Sequence, residues 1–425
     1  MQSLPNTQDV LVCRNCLAFI GDIITHLELL AGVPRNECVG NFLHRQSKAP
    51  KVCTQRDGLP GVFGGVYECP GGCGEVYCSP SCTDEHFTRC HGLLCVGPVP
   101  EEEAMTHPLV AFRVHAMKTN EIFLLVAEVV CQVVSTFLNN GDVFKAQEAF
   151  RDFVQEPWWD VAVAREGDTA ALPSTLAQLC EESSAFLRSA LPPFPEFEKI
   201  LCKEAFGRVV GMFEQNNVGV RVASPLEEAI TLALNVAEDN SVVAGLILEV
   251  HSLLEMVLED SEDEDVDCCL KESSSDPLEE KECWSGGSLK VEDRGPDSPG
   301  DTFKSAVESL PKCLKQASDE VFQPLDGTAL YSLICCMNHS CLPNCIVRYP
   351  DRMSKDMFGS GRSENKSLPM VAAVIATQDI EEGEELCQSY VDNNLALYER
   401  RALLEDYGFL CNCLRCLEEE KVGVV

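Results

Sequence analysis

At 425 residues the chain exceeds one ordinary core, and its 45% apolar content can bury a sizeable interior across two or three domains. The formal charge of −35, from 68 acidic against 33 basic residues, repels phosphate backbones, argues against sequence-specific nucleic-acid binding and suits basic partners. The opening MQSLPNTQDV lacks the apolar stretch of a signal sequence, and the longest apolar run, IFLLVAEVVCQVVSTFL (122–138), is interrupted by Glu128 and Gln132, so a soluble intracellular chain without membrane contact is expected.

In chain order, residues 1–12 form a short lead-in. Residues 13–98 are rich in cysteine, glycine and proline and poor in long periodic runs. The 25 cysteines of the chain are read as reduced thiols, and their spacing points to metal. Four short pairs stand out: Cys13-x2-Cys16, Cys69-x3-Cys73, Cys78-x3-Cys82 and His91-x3-Cys95. Zinc takes four soft ligands in a tetrahedron, so the pairs supply two closed, structural sites whose metal contributes folding free energy. His86-x3-Cys90 has the same spacing as the last pair, and Cys38 and Cys53 lie in the long gap, so the ligand choice stays open between them.

From 99 to 258 the pattern is helical. Apolar residues recur at three- and four-residue steps in 122–138 up to Asn140-Gly141, with similar signals in 175–191, 196–213 and 226–258. Residues 259–302, with EDSEDEDVD, SSSDPLEEKE and RGPDSPGD, read as an acidic disordered linker. The chain is compact again over 303–392: LPMVAAVIAT (368–377) fits a buried strand, DIEEGEEL a turn and CQSYVD a second short strand. In 393–425, ALYERRALLEDYG reads as a helix, and Cys411-x-Cys413-x2-Cys416 offers three thiolates. The fourth ligand must come from elsewhere, and CCMNHSCLPNC (335–345) has cysteines to offer.

GTALYSLICCMNHSCLPN (327–344), EEGEELCQSYVD (381–392) and YGFLCNCLRC (407–416), in that order, resemble a SET domain with its post-SET tail. The order of the upstream pairs, CGEVYCSPSC above all, resembles the MYND zinc finger. Together they resemble the SET-and-MYND lysine methyltransferases, in particular the plant trithorax-related branch. The fold class implied is α+β: a MYND-like finger, a helical insertion, a β-rich SET domain and a zinc-bound tail. On the resemblance, Cys13, Cys16, Cys78 and Cys82 hold one zinc, Cys69, Cys73, His91 and Cys95 a second, and Cys341 joins Cys411, Cys413 and Cys416 around a third. Asn338 and His339 would hold S-adenosylmethionine, Phe409 would pack on its adenine, and the Tyr390 hydroxyl would orient the substrate amine. Tyr331 and Asn344 would pack or brace, while Cys335, Cys336, Cys345 and Cys387 fill the core.

The activity implied is S-adenosylmethionine-dependent methylation of lysine in a basic protein such as a histone tail, as a chromatin regulator in the nucleus, the cytoplasm or both. The chemistry is an in-line displacement that needs a neutral lysine and a straight approach. In the family the SET domain opens before the finger with strands and a glycine-flanked turn that contacts the cofactor. Residues 1–12 form no such turn, so the opening strands are expected to be missing and the chain to bind S-adenosylmethionine weakly or not at all. The alternative is a non-enzymatic zinc scaffold whose finger binds proline-rich peptides.

Overall fold

The computed structural model describes residues 2–3, 5–48, 61–104, 106–162, 173–193, 200–267, 299–349 and 372–422. The lead-in is built into the fold. Gln2 bridges to Gly327, the Ser3 N–H donates to the Asp326 carbonyl at 2.9 Å, and Asn6 Nδ2 donates to the Pro324 carbonyl at 2.8 Å. Val10 and Val12 are buried with Val220, Val222 and Leu325.

The described residues of the long gap after Cys16 hold regular structure that the composition concealed. β1 (Gly21–Asp22) leads into α1 (Ile23–Leu30), followed by α2 (Arg35–Lys48) and β2 (Val62–Gly64), which pairs antiparallel with β1. Asp22 caps α1 by accepting from the Thr25 N–H at 2.8 Å, satisfying one of the otherwise orphaned first-turn donors. Arg45 of α2 reaches back to Asp22 (2.9 Å) and Glu28 (3.1 Å), fastening the two helices together. The segment expected to form the finger holds the antiparallel pair β3 (Tyr67–Glu68) and β4 (Val76–Tyr77) and α3 (Pro80–His86), which runs into a π-helical turn over Phe87–His91.

The first helical core follows. α4 (Pro108–Thr119), α5 (Ile122–Asn140), α6 (Pro173–Ala190) and α7 (Lys203–Asn216) bury Phe112, Phe123, Val130, Leu187, Phe206 and Val210 against one another. α5 has the length and apolar composition to cross a membrane, as does 241–259, yet here half of α5 is buried inside the protein. Gly141 ends α5 with a φ of 67°, a left-handed cap where the apolar steps stop. Where α7 meets residues 156–158, a Cβ on Gly211 would lie 2.0 Å from the Glu156 carbonyl oxygen and 3.1 Å from Trp158 N. Gly211→Ala is therefore expected to push the segments apart and destabilise by about 2 kcal/mol. Chemical denaturation followed by tryptophan fluorescence measures this; an unshifted midpoint would contradict the close contact.

The next strand, β5 (Val218–Val222), is followed by α8 (Leu226–Ala237) and α9 (Ser241–Asp267), so the helical signal over 226–258 is two helices broken at 238–240. α9 continues to Asp267, and α10 spans Pro299–Glu320, so both ends of the stretch expected to be an unstructured linker are helical. Its middle, 268–298, lies outside the described residues. α1, α8, α9 and α10 share a second core through Ile23, Leu27, Ile230, Ile247, Leu254, Leu310 and Leu314.

Then come β6 (Leu325–Ala329), β7 (Asn338–His339), β8 (Cys345–Arg348), β9 (Ala373–Ala376) and β10 (Cys387–Gln388). β5 and β6 pair antiparallel from Val218↔Ala329 to Val222↔Leu325, across about a hundred residues of helix and acidic segment. β8 and β9 pair antiparallel, and β7 lies parallel to β10 with Asn338 opposite Cys387 and His339 opposite Gln388. α11 (Leu397–Glu405) and α12 (Leu414–Val422) close the described chain. The strand expected over 368–377 covers Ala373–Ala376; 368–371 lies outside the described residues.

Candidate functional site

Three sets of four ligands come together, each with its ligand atoms within 4.8 Å of one another: Cys13, Cys16, Cys78 and Cys82; Cys69, Cys73, His91 and Cys95; Cys341, Cys411, Cys413 and Cys416. In the first, Cys78 Sγ is 3.6 Å from Cys16 Sγ and 3.5 Å from Cys82 Sγ. In the second, His91 Nε2 is 3.3 Å from both Cys69 Sγ and Cys73 Sγ, and Cys69 Sγ is 3.7 Å from Cys95 Sγ. In the third, Cys341 Sγ is 3.9 Å from Cys411 Sγ and 3.5 Å from Cys416 Sγ. A tetrahedron with metal–sulfur arms of about 2.3 Å has edges of about 3.8 Å, so all three donor sets fit zinc.

Burial pushes the Cys73 thiol up to about 12, so binding there must release a proton. Cys413 goes the other way, down to about 7: burial opposes its ionisation, and the N–H groups of Cys416 and Cys341 more than offset that. His86 and Cys90, the competing pair of equal spacing, do not enter the second set. They face Glu128 of α5 instead. Cys53 lies outside the described residues, and Cys38 is buried with its thiol on the Val33 carbonyl at 3.3 Å.

The third cluster borders the parallel β7–β10 seam. His339 Nδ1 accepts from the Tyr390 N–H at 3.0 Å, so the proton of the neutral ring sits on Nε2, 3.3 Å from Cys341 Sγ. Burial, then Arg400, holds the His339 pKa below its ordinary value and keeps it in that neutral form. One imidazole thus ties Tyr390 to the cysteine cluster.

Tyr390 directs its hydroxyl to the Met337 carbonyl at 2.6 Å. Its ring lies 5.0 Å from Tyr407, 5.4 Å from His339 and 6.4 Å from Phe409, while Phe409 is 5.9 Å from His339. Four rings therefore converge beside the strand seam, with Tyr407 and Phe409 still reaching solvent. The Asn338 side chain is exposed and donates to Glu385 at 2.6 Å. Asn344 is buried and braces the loop, donating to Glu384 (3.0 Å) and the Glu385 carbonyl (2.8 Å) and accepting from the Cys387 N–H (2.9 Å).

Two residues of this region carry parts that the sequence reading gave them no role in. Tyr407 belongs to the quoted YGFLCNCLRC segment and supplies the ring nearest Tyr390. Arg400, fully buried on α11, donates to the Leu395 carbonyl (2.6 Å) and Glu419 (2.5 Å) and lies 3.9 Å from Cys416 Sγ. Its cation would compensate the negative charge that four thiolates around a dication leave. Nothing in the pair Arg400-Arg401 distinguishes the buried member from its neighbour.

Residues 235–391 match the SET domain family. Among similar proteins, the histone-lysine N-methyltransferase ATXR2 of Arabidopsis thaliana is 28% identical over 372 residues, 83% of this chain and 62% of that protein. The protein-lysine N-trimethyltransferase SMYD5 of Homo sapiens is 33% identical over 135 residues, 31% of this chain and 27% of that protein. The histone-lysine N-methyltransferase SMYD3 of Homo sapiens is 36% identical over 96 residues, 22% of this chain and 18% of that protein. The chain thus spans under two thirds of the length of these relatives. The β7–β10 seam lies within the stretch that matches the SET domain, and the cysteine cluster borders it. Over these stretches the chain is similar to the SET and SMYD lysine methyltransferases, the ATXR group among them.

Proposed function

We propose that this chain forms the SET-bearing part of an S-adenosylmethionine-dependent protein-lysine N-methyltransferase that acts on basic protein segments such as histone tails. The observation that carries the reading is the convergence of Tyr390, Tyr407, Phe409 and His339 at the β7–β10 seam, fastened to the cluster at Cys341. Aromatic faces attract cations, and both a sulfonium and a lysine ammonium are cations. When bound, S-adenosylmethionine supplies an electrophilic methyl group. Asn338 and the His339 backbone are assigned to its amino-acid end, and Phe409, with its face open to solvent, to the adenine.

The Tyr390 hydroxyl, held on the Met337 carbonyl, places two oxygens at one point, where they can receive the N–H bonds of an incoming amine and aim its lone pair. Burial raises the Tyr390 pKa above its ordinary value, so the hydroxyl stays protonated at neutral pH. The acidic turn Glu381, Glu382, Glu384 and Glu385 lies beside Asn338 and favours a basic peptide at this edge. We assign the first two metal clusters to a finger of the MYND type and the third to a post-SET clip, and we place the protein in the nucleus, the cytoplasm or both.

Incubating the purified, zinc-loaded chain with methyl-labelled cofactor and a histone H3 or H4 peptide series tests this directly. Label recovered on lysine, at the low yield expected of a chain that binds the cofactor weakly, is the expected outcome. A zinc-loaded chain that leaves every lysine peptide unlabelled while its finger captures a proline-rich peptide overturns the enzymatic reading.

A further inference from the structure

The run HFTRCHGLLC contains two overlapping copies of one ligand spacing, His86-x3-Cys90 and His91-x3-Cys95. A regular helix brings residues three and four apart onto one face, whereas a π-turn superposes residues five apart. Phe87–His91 is π-helical, and the rings of His86 and His91 stack at 5.2 Å with an 11° tilt. This extra residue in the turn separates the copies. His91 and Cys95 go to the finger, while His86 and Cys90 turn to the opposite wall, where α5 presents Glu128.

We propose that His86, Cys90 and Glu128 form a fourth metal site, for Zn2+ or a divalent ion of similar thiophilicity, at the joint between the finger and the first helical core. One ligand atom from each of the three side chains falls within the same 4.8 Å span as in the other clusters. His86 and Cys90 are each 1% exposed, so the donors are already withdrawn from water. The orienting contacts of a ligand set are present as well. Tyr77 Oη is 3.0 Å from His86 Nδ1, which leaves Nε2 for an ion. Arg14 pairs through Nη2 with Oε1 of Glu128 and thereby fixes that carboxylate, while its Nε lies 3.7 Å from Glu75.

With Cys90 bound as thiolate, Cys90 and Glu128 bring two negative charges to the ion, and the guanidinium groups of Arg14 and Arg89 stand behind them. Donor chemistry narrows the metal: one thiolate, one imidazole and one carboxylate suit zinc and exclude calcium or magnesium. Three protein ligands leave one position free. His86 and Glu128 line a cavity of about 380 Å3 together with Arg14, Glu75 and Leu124, with room there for a water or a small anion as fourth ligand. The arrangement is that of an open site, unlike the three closed ones.

Mass spectrometric metal counting on the zinc-saturated full chain tests the site by difference. Wild type should carry one ion more than either Cys90→Ser or His86→Gln; equal counts overturn the proposal. Because the difference is read within this site, it stands apart from how many of the other three clusters are filled. A second readout uses wild type alone and so does not depend on how the variants fold. In cobalt-loaded protein an open site takes up azide and changes its visible bands, whereas closed sites do not. A spectrum unmoved by excess azide overturns the open site.

Discussion

Tyr390→Phe is expected to lower methyl transfer by about 10²-fold or more while leaving metal content and fold intact, since a positioned proton-handling group contributes on that order. The substitution keeps the ring, and with it the packing on Tyr407 and His339, and removes only the oxygen that donates to the Met337 carbonyl. One hydrogen bond of this kind is worth about 1 kcal/mol to the fold, too little to unfold the domain. The rate effect and the stability effect are thereby separable in one variant. Label transfer at saturating cofactor measures the first, and a thermal melt with zinc analysis the second. A variant that retains more than a third of the activity would remove Tyr390 from the reacting centre.

Cys341→Ser is expected to have the larger structural effect. Cys341 alone ties the loop after β7 to a tail whose other three ligands lie within six residues, so losing it leaves the tail set open. Loss of a structural metal is among the few single changes that cost more than about 4 kcal/mol. The tail should then expose Arg415 to trypsin, zinc should fall by one ion per chain, and cofactor affinity should fall at least tenfold as Phe409 and Tyr407 lose their anchorage. Cys336→Ser is the control, because that exposed thiol only donates to the Ser332 carbonyl. If both variants resist trypsin equally, the tail is held by packing rather than by metal.

The ligand pairs could be read from sequence because metal spacing is local: two sulfurs three or four residues apart arrive together whatever the rest of the chain does. The same holds for α5, whose apolar steps and Asn140-Gly141 stop are properties of the segment itself. What escaped was decided by distant partners. α1 sits in a gap that reads as finger because its apolar positions, Ile23 and Leu27, face helices some two hundred residues away, while α2 buries Cys38, Val39 and Phe42 against the cysteine-rich segment. α10 was hidden by Pro311, which ordinarily argues against a helix interior, although Ala306, Leu310, Leu314 and Ala317 keep a helical stripe through it. In the site, Tyr390, His339 and Phe409 could be picked out from ordered motifs. The link from His339 Nε2 to Cys341, and the buried cation of Arg400, depend on how two chain segments cross. Spacing carries no record of that crossing.

The pairing of Gln2 and Ser3 with Asp326 and Gly327 has a consequence for how the chain is made. At a synthesis rate of about 5–20 residues per second, residues 2 and 3 leave the ribosome about 16–65 s before their partners exist. Cys13 and Cys16, by contrast, need wait only for Cys82 to complete their set. A zinc-loaded finger can therefore be standing while its neighbouring β-strand edge is still unmade. During translation Val10 and Val12 of that waiting segment stay unburied until Val220, Val222 and Leu325 have been made.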